Sequence, residues 1–152
     1  MSSKRLPGKV LADIGGQPLI QRLIERVRAT PGIERVVVAT TTESADDTLA
    51  DWCAAHEVLV YRGSVDDVLD RFWQCAQLHP AHFIIRVTAD DPLKDPEVIA
   101  DALALCASSP EVDYASNTLH PTYPEGLTSR LCVSGRLNAQ PVRPRYLRNA
   151  NT

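Results

Sequence analysis

Residues 82–107 read HFIIRVTADDPLKDPEVIADALALCA. A short apolar run, an acidic turn and a helix start follow one another there. HFIIRV (82–87) is rich in β-branched and aromatic residues and has the length of a strand. Asp95 before Pro96 is an N-cap followed by proline at the first helical position, which predicts a helix over Pro96–Ala107. Between them stand Asp90 and Asp91, two carboxylates just past the carboxyl end of a buried strand. Strand, polar loop and amphipathic helix make one β–α unit, the repeating element of a parallel sheet covered by helices.

The unit recurs outward from this stretch. Over residues 17–29, Leu19, Ile20, Leu23, Ile24 and Val27 share one helical face, Pro18 suits the first turn, and Pro31-Gly32 ends it. Residues 35–40 (RVVVAT) predict a buried strand. Residues 45–55 predict a second helix, with acidic groups at its start where the dipole favours them. Val58-Leu59-Val60-Tyr61 reads as a second strand. Residues 65–78 predict a third helix, capped by Ser64, with Val65, Val68, Leu69, Phe72 and Cys75 inward. Val112-Asp113-Tyr114-Ala115 reads as a further strand. The alternation predicts an α/β domain with a mostly parallel sheet and helices on both faces. Ligands of such sheets bind at the carboxyl ends of the strands, so loops 40–46, 61–65 and 88–95 are the informative ones.

Composition narrows the function classes. The 152 residues are 44% hydrophobic and 23% charged, as in one ordinary globular domain. A net charge of -3 gives no electrostatic footprint for nucleic acid or an anionic membrane. No apolar run approaches the ~18 residues of a membrane span. The N-terminal residues have no signal-peptide core, so the cytoplasm is the expected compartment. Cys53, Cys75, Cys106 and Cys132 form no C-x-x-C pair and lack histidines at ligand spacing. They read as small reduced hydrophobes rather than zinc ligands or a disulfide framework.

Three stretches could carry chemistry. Ser2-Ser3-Lys4-Arg5-Leu6-Pro7-Gly8-Lys9 combines small residues, a glycine and three cations, a pattern that lets backbone N–H groups and positive charge approach an anion. The same residues also read as a solvated basic terminus. Arg86 through Leu93 offers carboxylates whose hard oxygens suit Mg²⁺ on a triphosphate, or a turn capped by aspartate before proline. Tyr61 through Asp70 puts Arg62 and Ser64 on a strand-to-helix loop, where they could contact a base or ribose. Asp66 and Asp67 within it read as dipole compensation in a first helical turn.

In combination these stretches resemble the cytidylyltransferase family of spore coat polysaccharide biosynthesis protein F, related to the acylneuraminate and KDO cytidylyltransferases. The family pattern reads R-M-x-S-x-R-L-P-G-K-x-L, G-x-P-L-L, V-V-A-T, F-R-G-S-x-D-D-V-L-D-R, R-x-T-G-D-x-P-L-x-D-P and Y-P-x-G-L-D-x-E-V. This chain matches it in order and spacing from residue 1 to 127, through Met1–Leu11, Gly16–Ile20, Val37–Thr40, Tyr61–Arg71, Arg86–Pro96 and Tyr123–Leu127. The resemblance implies a three-layer Rossmann-like nucleotide-diphospho-sugar transferase fold. It implies transfer of CMP from CTP to an acidic sugar, with pyrophosphate released, in polysaccharide biosynthesis. Lys9 and Asp90 would be catalytic, and Asp90 would bind Mg²⁺. Ser3, Arg5, Gly8 and Lys9 would hold the triphosphate, and Arg62 and Ser64 would border the nucleotide. Family members are often homodimers.

The match also has departures. Ala89 replaces the glycine before the aspartate. The family pattern carries an apolar strand and a Q-A-R segment ahead of the position of Met1, so the resemblance implies a fold lacking its first strand and its C-terminal portion. After Leu127 the expected D-x-E-V is replaced by Thr128-Ser129-Arg130-Leu131-Cys132. Residues 1–127 are thus expected to form a partial nucleotidyltransferase domain, and 128–152 an irregular tail. One lost G after a CTG codon for Leu127 would account for the tail, as a hypothesis. The restored frame can read D-V-E-V over Thr128–Leu131 and E-R-E-H-V over Arg148–Thr152, and nucleotide sequencing of the gene tests this. The alternative to an active enzyme is a catalytically inactive remnant that at most binds nucleotide.

Overall fold

The computed structural model describes residues 6–109, together with the backbone of 114–116 and 130–133. Helix α1 (Leu19–Arg28) buries all five apolar positions of its predicted face. Strand β1 (Val37–Thr41) leads through a 3-10 turn into α2 (Asp47–Ala55), and β2 (Leu59–Gly63) leads into α3 (Val68–Leu78). Strand β3 (Phe83–Arg86) precedes α4 (Pro96–Ala107), which starts as its sequence requires. Asp95 accepts a hydrogen bond from the Glu97 N–H, and Pro96 stands in the first turn. Two short strands complete the described residues, β4 (Tyr114–Ser116) and β5 (Arg130–Val133).

Strands β1 and β2 pair in parallel, with Val37 opposite Leu59 and Thr41 opposite Gly63. The remaining strands form a second ladder in the order β3-β5-β4, and β5 runs antiparallel to both neighbours. Strands β3 and β4 therefore share a direction but do not touch as neighbours. The sequence predicts a mostly parallel sheet, whereas the described pairing is one parallel ladder and two antiparallel ones. The difference comes from residues 130–133, which carry no readable periodicity yet insert between two strands that a simple β–α succession would place side by side. The rest of 128–152 lies outside the described residues.

One core joins both ladders. Ile20, Leu23, Ile24 and Val27 of α1 pack with Leu49 and Cys53 of α2, Val58 and Ile99 of α4. Val36, Val38 and Val60 reach this cluster from the β1–β2 side, and Ile85, Val87 and Ala89 from the β3 side. Helix α3 covers β1 and β2 with contacts of its own, which completes a helix–sheet–helix layering. Cys53, Cys75 and Cys106 are buried, as small hydrophobes are, and burial raises the pKa of Cys53 and Cys75.

No ladder links β1 to β3 among the described residues. A cleft of about 1160 Å³ lies between them instead, lined by Val36–Ala39 on one side, by Phe83–Ala89 on the other, and by apolar groups of α1 and α3. The apolar residues of both strands are consequently only half-buried. Such positions are normally covered completely in a parallel sheet with helices on both faces.

Helix α3 departs from its predicted start. Its N-cap is Asp67, which accepts from the Asp70 N–H, rather than Ser64. Val65 therefore precedes the helix, and Val68 and Leu69 in its first turn are exposed, Leu69 at 72%, while Phe72 is half-buried and Cys75 buried. Ser64 instead accepts from the Asp67 N–H, closing the turn before the helix.

Candidate active site

The acidic loop after β3 and the glycine-containing basic loop meet. Gly8 adopts a left-handed conformation (φ 71°, ψ 8°), which a side chain would strain, and it begins the 3-10 turn Lys9–Leu11. That turn presents Lys9, whose ammonium stands 2.5 Å from Oδ2 of Asp90. Both groups remain open to solvent, with side-chain exposures of 32% and 45%. A cation and a carboxylate separated by 81 positions in the chain are thus held at the end of the β1–β3 cleft, beside Ala39 and Ala89.

The hydrogen bond from Lys9 is the main cause holding the Asp90 carboxyl below its ordinary pKa; partial burial opposes it, and the Asp90 backbone N–H and Thr88 hydroxyl assist. A lowered folded-state value means that the pair stabilises the fold above the unfolded value of about 3.9 and loses that contribution as pH falls through the folded value. The effect on stability is small, because the pair is half exposed. Carboxyl-carbon NMR is expected to put the Asp90 midpoint below about 3.9. A midpoint at or above that value excludes a persistent Lys9–Asp90 pair in solution.

Neighbouring Asp91 is committed elsewhere. Its Oδ2 accepts from the Thr88 hydroxyl at 2.8 Å and pairs with the Lys94 ammonium at 2.9 Å. The residues alone offer both carboxylates, and only the family resemblance singles out Asp90. Sequence reasoning also passed over Lys94 entirely, since nothing local marks a lysine as buried.

Ser64 lies in the loop predicted for it, whereas Arg62 stands within β2, opposite Thr40, and both make bonds within the scaffold. Arg62 donates from Nε to the Thr41 carbonyl at 2.9 Å and from Nη2 to the Glu43 carbonyl at 2.8 Å, and it pairs with Asp47 at 2.7 Å. It therefore pins the loop that follows β1. The carbonyl of Ser64 accepts from Arg71 at 2.6 Å. The same loop is tied from inside by Asp46, buried at 1% exposure, which accepts from the hydroxyls of Thr40 and Thr41 and from the Thr41 N–H. The sequence reads Asp46 as a dipole-compensating residue, whereas it is an internal brace. Ser3 and Arg5 lie outside the described residues.

Among the described residues no group of three or more His, Cys, Asp or Glu side chains could hold a metal ion by itself. Mg²⁺ does not require one. It commonly takes one or two carboxylates and completes its shell with water and substrate phosphates. A half-exposed, ionised Asp90 at a cleft end fits that role. Among the described residues, no helix is long and apolar enough to cross a membrane.

These features coincide with a family assignment. A family model described as Cytidylyltransferase matches residues 1–128, and the chain belongs to that family. Spore coat polysaccharide biosynthesis protein SpsF of Bacillus subtilis is 39% identical over 103 residues, which are 65% of this chain and 43% of that protein. The 3-deoxy-manno-octulosonate cytidylyltransferase of Agrobacterium fabrum is 35% identical over 133 residues, 85% of this chain and 51% of the enzyme. The chain spans about half the length of the curated relatives it matches, or somewhat less. Among solved structures, a cytidylyltransferase from Leptospira borgpetersenii superimposes with a TM-score of 0.83 at 28% identity, over 90% of this chain and 58% of that one. A CMP:2-keto-3-deoxy-manno-octonic acid synthetase complexed with CTP superimposes with a TM-score of 0.70 at 21% identity, over 90% and 71%, and shares the fold. The Rossmann-like nucleotidyltransferase fold implied by the sequence is thereby established.

Proposed function

We propose that this protein transfers CMP from CTP to an acidic sugar, releasing pyrophosphate, in the synthesis of a polysaccharide. The meeting of Lys9 and Asp90 at the cleft end carries this reading. In the reaction a sugar hydroxyl oxygen forms a bond to the α-phosphorus of CTP. The bond from that phosphorus to the bridging oxygen breaks, pyrophosphate departs with the electron pair, and the hydroxyl proton passes to solvent. Lys9, a compact cation on a glycine-started turn, neutralises charge on the phosphates. Asp90 would hold Mg²⁺, which when bound supplies charge neutralisation to the triphosphate. Gly8 lets the backbone of the turn approach the phosphates closely.

Arg62 and Ser64 serve the nucleotide indirectly in this reading, by shaping the loops on either side of it. Relatives named for 3-deoxy-manno-octulosonate and for spore coat polysaccharide support an acidic sugar acceptor. The direct experiment incubates the purified protein with CTP, Mg²⁺ and a panel of acidic sugars and measures pyrophosphate. Release that depends on both CTP and one of the sugars is the expected result. Binding of CTP without release would leave a nucleotide-binding protein without turnover, and no binding at all would end the proposal.

A further inference from the structure

The side chain of Lys94 is fully buried, at 0% exposure, in the loop that carries Asp90. An ammonium group removed from water is strongly unfavourable unless it is paired, so its placement calls for a reason. Its partner Asp91 is adjacent to Asp90. The Thr88 hydroxyl bonds the same carboxylate oxygen, and the Asp91 N–H donates back to the Thr88 carbonyl at 3.3 Å. Arg26 of α1 donates from Nε to the carbonyl of Lys94, which ties the loop to the core helix. Asp95 then starts α4. The loop from Thr88 to Asp95 is thus fastened from beneath at Asp91, at Lys94 and at the helix cap, and Asp90 is the carboxylate it turns toward Lys9.

We infer that Lys94 is a positioning residue: through its buried ion pair with Asp91 it removes that carboxylate from cation binding and fixes the loop so that Asp90 alone meets the metal–nucleotide complex. The part concerning the nucleotide rests on the proposed function; the part concerning the loop does not.

Two variants test it. Lys94→Met removes the ammonium and keeps the volume. Asp91→Asn with Lys94→Met removes both charges of the pair, so neither member is left facing a lost partner. The first measurement is hydrogen–deuterium exchange over residues 88–93 without ligand. Both variants are expected to exchange at least about tenfold faster there, with exchange in α1 and α2 unchanged. Wild-type rates in that loop overturn the inference whatever the protein binds. The second measurement is the Mg²⁺ concentration for half-saturation of CTP binding, which is expected to rise about 10- to 100-fold in both variants. A loosened loop with wild-type Mg²⁺ dependence overturns the positioning role. So does a double variant restored to wild-type values in both measurements, because Lys94 would then only neutralise Asp91. Faster exchange in the variants of a protein that binds no CTP in its wild-type form rejects the proposed function and the metal role assigned to Lys94, while the loop clamp stands.

Discussion

Asp90→Asn is expected to lower CTP-dependent pyrophosphate release by about 10²- to 10³-fold, the loss typical of removing one preorganised charge-stabilising group from an active site. Asparagine keeps the shape of the side chain and can still accept a hydrogen bond from Lys9. It cannot supply an ionised oxygen to a divalent cation. Stability is a separate matter. The Lys9–Asp90 pair is half exposed, and pairs of that kind contribute about 0–1 kcal/mol. The variant should therefore melt within about 3 °C of the wild type. Loss of release with an unchanged melting temperature identifies a chemical role. A variant that releases pyrophosphate at the wild-type rate rules Asp90 out as the metal ligand. Asp91→Asn alone is a poor substitute for this experiment, since it removes the charge that the buried Lys94 ammonium pairs with in this loop.

The second large effect concerns stability. An apolar strand of six or so residues fused ahead of residue 1, with β-branched side chains on both faces, is expected to enter the β1–β3 cleft and raise the melting temperature by about 10 °C, at roughly 3 °C per kcal/mol for a chain of this size. Each large side chain it buries contributes about 2 kcal/mol before the cost of ordering the added residues. Its backbone also meets two strand edges that lack a ladder to one another. A control extension with proline at alternate positions has the same length and cannot pair. Equal melting temperatures for the two extensions would show that the cleft does not accept a strand.

Much of this architecture is legible in the sequence, for identifiable reasons. The face of α1 and the cap of α4 are local matters, set by helical spacing and by an Asp-Pro step, and both appear as read. The start of α3 is ambiguous in the sequence because Ser64 and Asp67 are equally good caps by type. Only the packing of Phe72 and Cys75 decides between them. Strand β5 escaped because four residues without alternation carry no periodic signal and take their place from β3 and β4. At the site, resemblance to a known family brought Lys9 and Asp90 together, a contact too remote in sequence for spacing to reveal. Asp46 and Lys94 stayed hidden for a related reason. Charged residues read as solvated by default, and the groups that pair them inside become neighbours only once the chain has folded.

The position of β5 has a consequence for how the protein emerges from the ribosome. Phe83 pairs with Val133, while β4, synthesised earlier, joins β5 rather than β3. At about 5–20 residues per second, β3 therefore waits several seconds with that edge bare. The β1–β2 pair has both strands in hand by Gly63. Nascent chains paused between these two points are expected to be the ones that recruit chaperones.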